Sequence, residues 1–249
     1  MKKVTFLTAS IFAFCLCATA QTEKEPLTAE FINNIVIDGI DSDWETAISF
    51  FDESSGLMYS IANDNENLYI LLKATAETSM AKFIMGGIEV WISADGKEKR
   101  KTGIKYPIPL SWEERFASRG NTTTREDRRR QEQERTYTKM ELKGFENIKD
   151  NTYKVDELDI KAEYSGKNGN TIAEYKIPFS SFCKPEQINE ENIFAIGIVL
   201  NGIQIPTNFG GGDGGGGNRV RFGANGQQQR QIRDMTKGNS FWVYTKITK

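Results

Sequence analysis

Apolar residues along this chain fall in short runs separated by polar clusters, and the runs are rich in β-branched and aromatic side chains. Leu57 to Ile61, Leu68 to Ala74 and Gly87 to Ile92 are three such runs. Between the first two lies Asn63-Asp64-Asn65-Glu66-Asn67, a turn cluster that predicts a hairpin. Ile35-Val36-Ile37 precedes the turn Asp38-Gly39-Ile40-Asp41-Ser42-Asp43, and Trp44 follows. Further strands are predicted at Lys101 to Ile108, Tyr137 to Leu142, Tyr153 to Tyr164, Thr171 to Ile177, Ile193 to Leu200 and Phe241 to Ile247. In Ile172-Ala173-Glu174-Tyr175-Lys176-Ile177, alternate side chains fall on opposite faces, the pattern of a half-buried strand. Many short strands punctuated by turns predict an all-β fold, an antiparallel β-sandwich.

Two stretches break the rhythm. Residues 113–135 hold seven arginines and six acidic residues, a nearly neutral mixture suited to i,i+4 pairing on a solvated helix. The interleaved acids cancel the field that an RNA- or membrane-binding arginine patch requires. Residues 210–231 run through Gly210-Gly211-Gly212-Asp213-Gly214-Gly215-Gly216-Gly217 and Gln227-Gln228-Gln229, which predicts a flexible glycine-rich loop before the last strand. Neither the Gly-Lys-Ser/Thr ending of a phosphate loop nor a repeat of the run is present.

The first 20 residues read as a cleavable signal peptide: Lys2 and Lys3, an apolar run from Val4 to Cys17, then Ala18-Thr19-Ala20. Residues 21–249 are then expected to form one exported β-sandwich domain, in the periplasm or outside the cell. No later segment approaches the roughly 18 apolar residues of a membrane span. Cys15 and Cys17 belong to the leader, so Cys183 alone remains and an internal disulfide is not expected. Without Lys2 and Lys3 the chain has 30 basic residues against 34 acidic, no nucleic-acid footprint. The chain has no histidine, which excludes Ser-His-Asp and Cys-His catalysis as well as histidine-ligated zinc or haem.

Four motifs stand in order: Ile37-Asp38-Gly39-Ile40-Asp41-Ser42-Asp43-Trp44, Asn63-Asp64-Asn65-Glu66-Asn67-Leu68-Tyr69-Ile70, Gly87-Ile88-Glu89-Val90-Trp91-Ile92 and Ala173-Glu174-Tyr175-Lys176-Ile177-Pro178. In this order they resemble family 9 carbohydrate-binding modules and the broader DOMON-like β-sandwiches, over roughly residues 31 to 205. The resemblance implies a non-catalytic sugar-binding sandwich. Where sugar-gripping members carry a stacking aromatic before the third motif's strand, this chain has Phe83-Ile84-Met85-Gly86-Gly87, and the strand ends at Ser93 instead of an aspartate. DOMON-like relatives include haem domains, but with no histidine only methionines such as Met85 could ligate iron, so haem is not expected.

Sugar recognition requires a flat aromatic face and a few fixed polar groups. Phe83, Trp91 and Trp112 are the candidate ligand-binding aromatics, whereas Trp44, behind the acidic turn, reads as a core anchor. Strand alternation sends Trp91 opposite Val90 without saying which face is wet. Asp38, Asp41 and Asp43 offer carboxylates to a calcium ion, or simply shape the turn. A glycosidase needs two carboxylates about 5 to 9.5 Å apart, a spacing that selects nothing in so acidic a chain. The expectation is an exported, non-catalytic protein whose partner is a glycan or, as an alternative, another envelope protein; a carboxylate-based glycoside hydrolase ranks third.

Overall fold

The computed structural model describes residues 25–44, 49–111, 113–114, 124, 126–127, 136–166, 169–204 and 226–249. The expected signal peptide, Trp112, most of the charged stretch and residues 210–225 lie outside the described residues. In chain order the elements are β1 (Leu27–Thr28), β2 (Glu30–Phe31), β3 (Phe50–Asp52), β4 (Leu57–Asn63), β5 (Asn67–Ala74), α1 (Glu77–Gly86), β6 (Ile88–Ser93), β7 (Thr102–Lys105), β8 (Lys139–Lys143), β9 (Asn151–Lys154), β10 (Lys161–Ser165), β11 (Thr171–Pro178), β12 (Phe194–Leu200), α2 (Gly226–Thr236) and β13 (Asn239–Lys246).

The fold is an all-β sandwich. Among the described residues one sheet has seven strands in the order β1-β13-β12-β6-β7-β8-β9, and the other runs β10-β11-β5-β4-β2 with β3 also on β4. Pairing is antiparallel except where the short strands β1 and β2 join β13 and β4. Period-2 alternation places Ile88, Val90, Ile92, Ile104, Met140, Leu142, Ile196, Ile198 and Val243 from one sheet against Leu68, Ile70, Leu72, Ala173, Tyr175 and Ile177 from the other. The largest polar-tipped members keep their bonds: the Tyr175 hydroxyl donates to the Tyr106 carbonyl at 2.7 Å, and the Tyr106 hydroxyl to the Tyr137 carbonyl at 3.1 Å.

Several expected elements change shape. The run from Tyr153 to Tyr164 is not one strand: β9 and β10 belong to different sheets, and the turn between them carries the chain across. Helix α1 carries the chain the other way, from β5 to β6, and buries Phe83 in the core. The glycine-rich loop expected through residue 231 instead gives way at Gly226 to helix α2, where Gln and Arg, both sound helix formers, replace glycine. In the charged stretch Glu113, Glu114, Glu126 and Asp127 are helical. A capping box precedes the first pair: the Glu114 amide donates to Ser111 Oγ at 3.2 Å and the Ser111 amide to Glu114 Oε2 at 2.8 Å. No helix among the described residues is long and apolar enough to cross a membrane.

Strand β11 is buried on both faces rather than half-buried. Its second face lies under the segment from Ile35 to Trp44, which adds a satellite core of Ile35, Trp44, Ala62, Tyr69, Leu71 and Ile172 outside the sandwich. Among the described residues the two outer faces therefore differ: one sheet is covered by this segment, and the other has no such cover.

Candidate functional site

On the outer face of the seven-stranded sheet, alternation turns Glu89 and Trp91 outward from β6, Ala195, Gly197 and Val199 from β12, and Ser240, Trp242 and Tyr244 from β13. The registers align one row across the sheet. Gly197 pairs with Trp242 on one side and with Trp91 on the other, Trp91 pairs with Gly103, and Gly103 with Lys143. Trp242 and Trp91 are half-buried, each beside a glycine.

The glycines make room for the rings. A Cβ on Gly197 would stand 2.8 Å from Trp242 Cη2, and one on Gly103 would stand 2.5 Å from Trp91 Cε3. Each indole thus packs its six-membered ring against the neighbouring strand, over the space that a side chain at the glycine would fill. Neither glycine has a positive φ, so space and not backbone conformation requires them there. Glycine inside a strand otherwise weakens it by about 0.5–1 kcal/mol relative to alanine. Two strand spacings separate the tryptophan backbones, about 10 Å.

Polar groups hold the row in place. Trp91 Nε1 donates to Glu89 Oε2 at 3.1 Å, and Asn201 Nδ2 donates to Glu89 Oε1 at 3.3 Å, so the carboxylate clamps the indole from one edge. Lys143 Nζ stands over the Trp91 ring, 6.0 Å from its centroid, at the outer limit of a cation–π contact. The Tyr244 hydroxyl donates to Glu98 Oε1 at 2.8 Å, and that bond raises its pKa above the ordinary phenol value. Past Glu89 the surface opens into a cavity of about 720 Å³ lined in part by Met85, Lys105, Pro109, Leu110, Asn201 and Ile203. No aromatic residue is among its described lining. Changing Gly103 to alanine is expected to cost about 1–3 kcal/mol by overpacking against the rigid indole. Tryptophan emission should shift as the ring lifts, and an unchanged spectrum with an unchanged melting temperature would contradict the packing described.

The sequence-derived site residues are scattered. Trp91 lies in the row. Phe83 does not: it is 0% exposed in the core and meets Tyr164 at 6.1 Å between ring centroids, so it has no face to offer a sugar. Its position on α1, whose apolar side seals the sandwich, is the physical reason. Trp112 lies outside the described residues. Trp242, which sequence reasoning passed over, supplies the second ring. Its signal was present in the alternation of Trp242 and Tyr244 around Val243, and in Gly197 lodged inside an apolar strand.

The acidic turn is organised by hydrogen bonds rather than around an ion. Asp38 Oδ1 accepts from the Ile40 amide at 2.9 Å, Asp43 Oδ2 from the Val36 amide at 2.9 Å, and Asp41 Oδ2 from Lys73 Nζ at 2.7 Å. No group of three metal-ligating side chains is assembled among the described residues, which corrects the calcium expectation for Asp38, Asp41 and Asp43. The turn is held from beneath by Glu174 on β11, itself 0% exposed. Its Oε2 accepts from the Asp38 amide at 3.0 Å and the Gly39 amide at 2.6 Å, and its Oε1 from Trp44 Nε1 at 2.7 Å. Burial raises the Glu174 pKa even so, against those donors. Trp44, 4% exposed, is the core anchor the sequence suggested.

The hydrogen bond from Lys73 holds the Asp41 carboxyl below its ordinary value, although partial burial works the other way. A lowered folded pKa means that the pair stabilises the fold above the ordinary carboxylate value and ceases to do so as pH falls through the lower one. Asp41 is more than a third exposed, so solvent screening keeps the effect under about 1 kcal/mol. The melting-temperature gap between the protein and its Lys73→Met variant should close as the pH falls through that range. A gap of constant size into acid would contradict the pairing.

Cys183 is buried, its Sγ on the Phe179 carbonyl at 3.2 Å, and burial pushes its thiol up to about 12, far from a reactive thiolate.

No protein-family model matches the chain, and no curated protein sequence matches it. Solved structures similar to it include two carbohydrate-binding modules. A family 9 carbohydrate-binding module from Caldicellulosiruptor kristjanssonii in complex with glucose is 10% identical, with 90% of this chain and 96% of that chain covered and a TM-score of 0.43. A family 9 module from the same organism in complex with cellotriose is 11% identical, with 70% of this chain and 75% of that chain covered and a TM-score of 0.36. Superposition this loose places no residue of a site.

Proposed function

We propose that this protein is an exported, non-catalytic glycan-binding protein that holds a polysaccharide chain on the outer face of its seven-stranded sheet. The observation that carries this reading is the pair Trp242 and Trp91, each laid over a glycine in one cross-strand row. Laid-down indoles offer the apolar face of a pyranose a broad contact, and aromatic rings lose little conformational freedom when they bind. Two of them, two strands apart, suit an extended chain that runs along the row better than a single buried sugar.

The non-catalytic part of the reading rests on what the nearby carboxylates already do. Glu89 is bonded to Trp91 and Asn201, and Glu114 closes a helix cap, so neither stands free as a general acid or base. Export rests on the N-terminal leader pattern of Lys2, Lys3, the apolar run and Ala18-Thr19-Ala20.

The test is calorimetric titration of the purified protein with neutral and acidic oligosaccharides of several linkages. Saturable binding to at least one class, accompanied by a change in tryptophan emission, is expected. Silence across all of them, from protein with a cooperative melt, would overturn the reading.

A further inference from the structure

The aromatic row does not end at Trp91. It continues through Gly103 to Lys143 on β8, an exposed lysine whose register neighbour on β7 has no side chain at all. Among the described residues the ion pairs are Lys73 with Asp41 and Lys99 with Asp95; Lys143 belongs to neither. The carboxylates around it are otherwise occupied or offset. Glu89 is bonded at the far edge of the indole, and Asp150 Oδ1 accepts from the Gly144 amide at 2.7 Å. Glu141 lies on the same strand but opposite Lys105, which stands between it and Glu89 in the register. Among the described residues Lys143 thus adds a cation with no carboxylate bound to it, over the Trp91 ring.

An ammonium only donates hydrogen bonds, and its charge favours an anionic acceptor over a neutral hydroxyl. We propose that the platform selects a polyuronate, a glycan chain whose rings carry carboxylates, with one ring stacked on Trp91 and its carboxylate on Lys143. This deepens the glycan-binding reading and rests on it. Lys143 Nζ stands over the indole, so a sugar ring that stacks there meets the ammonium, and a carboxylate on the rim of that ring gives it an anionic partner. The contact to Lys143 at 6.0 Å is loose enough for the long stem to swing onto such a ligand.

The experiment measures affinity for an oligouronate, a neutral oligosaccharide of matching length and a sulfated one, using the whole protein and its Lys143→Gln, Lys105→Gln and Trp91→Ala/Trp242→Ala variants. Losing one charge-assisted hydrogen bond should lower uronate affinity roughly tenfold in Lys143→Gln. Neutral affinity should be weaker from the outset and fall several-fold less than uronate affinity on that change. Added salt should weaken uronate binding and leave neutral binding alone. Both lysines are on the surface, so matched melting temperatures are expected and serve as the folding control.

Equal uronate and neutral affinities, or uronate affinity indifferent to Lys143→Gln, would overturn the acidic preference while leaving the platform standing, provided the double tryptophan variant still abolishes binding. An effect at Lys105→Gln equal to that at Lys143→Gln would overturn the assignment of the carboxylate to Lys143. A sulfated chain that outbinds the uronate through the same lysine would overturn the choice of carboxylate. No binding of any of the three by folded protein would overturn the glycan reading beneath it.

Discussion

Replacing Trp91 and Trp242 together with alanine should abolish glycan binding while leaving the sandwich folded. Both rings lie on the outer face of the sheet, each over a glycine, and neither belongs to the core between the sheets. Their removal strips packed indole from the sheet surface without opening a cavity in the core, so the melting temperature should fall while the melt stays cooperative. A central aromatic anchor carries about 2 kcal/mol of a binding free energy, which is roughly thirty-fold in affinity for each single variant. The two single variants should weaken binding comparably if one chain spans both rings. A loss confined to one ring would mean that a single sugar is bound, with the other ring merely filling the space over its glycine. Phe83→Leu provides the contrast: truncating a fully buried ring should lower stability and spare the affinity of whatever remains folded.

The second large effect belongs to the opposite face. Glu174→Ala would leave two backbone amides and the Trp44 indole N–H without the carboxylate that accepts from all three. Unpaired buried donors cost about 1–3 kcal/mol each, and partial exposure of the loosened turn would relieve some of that, so a total near 3 kcal/mol is expected. For a chain of this size that corresponds to a fall of roughly 6–12 °C in melting temperature. Glu174→Gln should fall between the two, because its amide keeps one acceptor and turns its donor group against an N–H. Thermal melts of the three proteins check the order, and equal melts for all three would contradict the clamp. Glycan affinity should not follow the melts, since the clamp and the indole row lie on different sheets.

Much of the sandwich was legible because its strongest signal is local. Leu57 to Ile61 and Leu68 to Ala74, joined by a dense turn cluster, form β4 and β5 paired antiparallel across that turn. Trp44 could be read as an anchor because an indole following an acidic turn is a large apolar body beside a polar loop. What the sequence left hidden depends on contacts between distant positions. The strand holding Glu174 alternates as though half-buried, and only the loop folded over it, 130 to 136 residues away in sequence, buries its second face. The same loop explains why three aspartates in a turn look like a cation site and are a hydrogen-bonded scaffold instead.

The candidate site was half legible. Trp91 could be named, but its wet face could not, since a strand's period of 2 gives two faces and not which one packs. Trp242 and Gly197 became meaningful only once register set them beside Trp91. Phe83, named as the stand-in for a stacking aromatic, sits on a helix that turns its ring inward.

The measurement that tests the central claim most directly is a titration of the protein with the best-bound oligosaccharide, followed through its tryptophan indole N–H signals by NMR. The chain has four tryptophans, so each signal can be assigned by single substitution. Trp91 and Trp242 should shift together along one saturable curve while Trp44 stays in place. Saturable binding that leaves Trp91 and Trp242 unmoved would contradict the account.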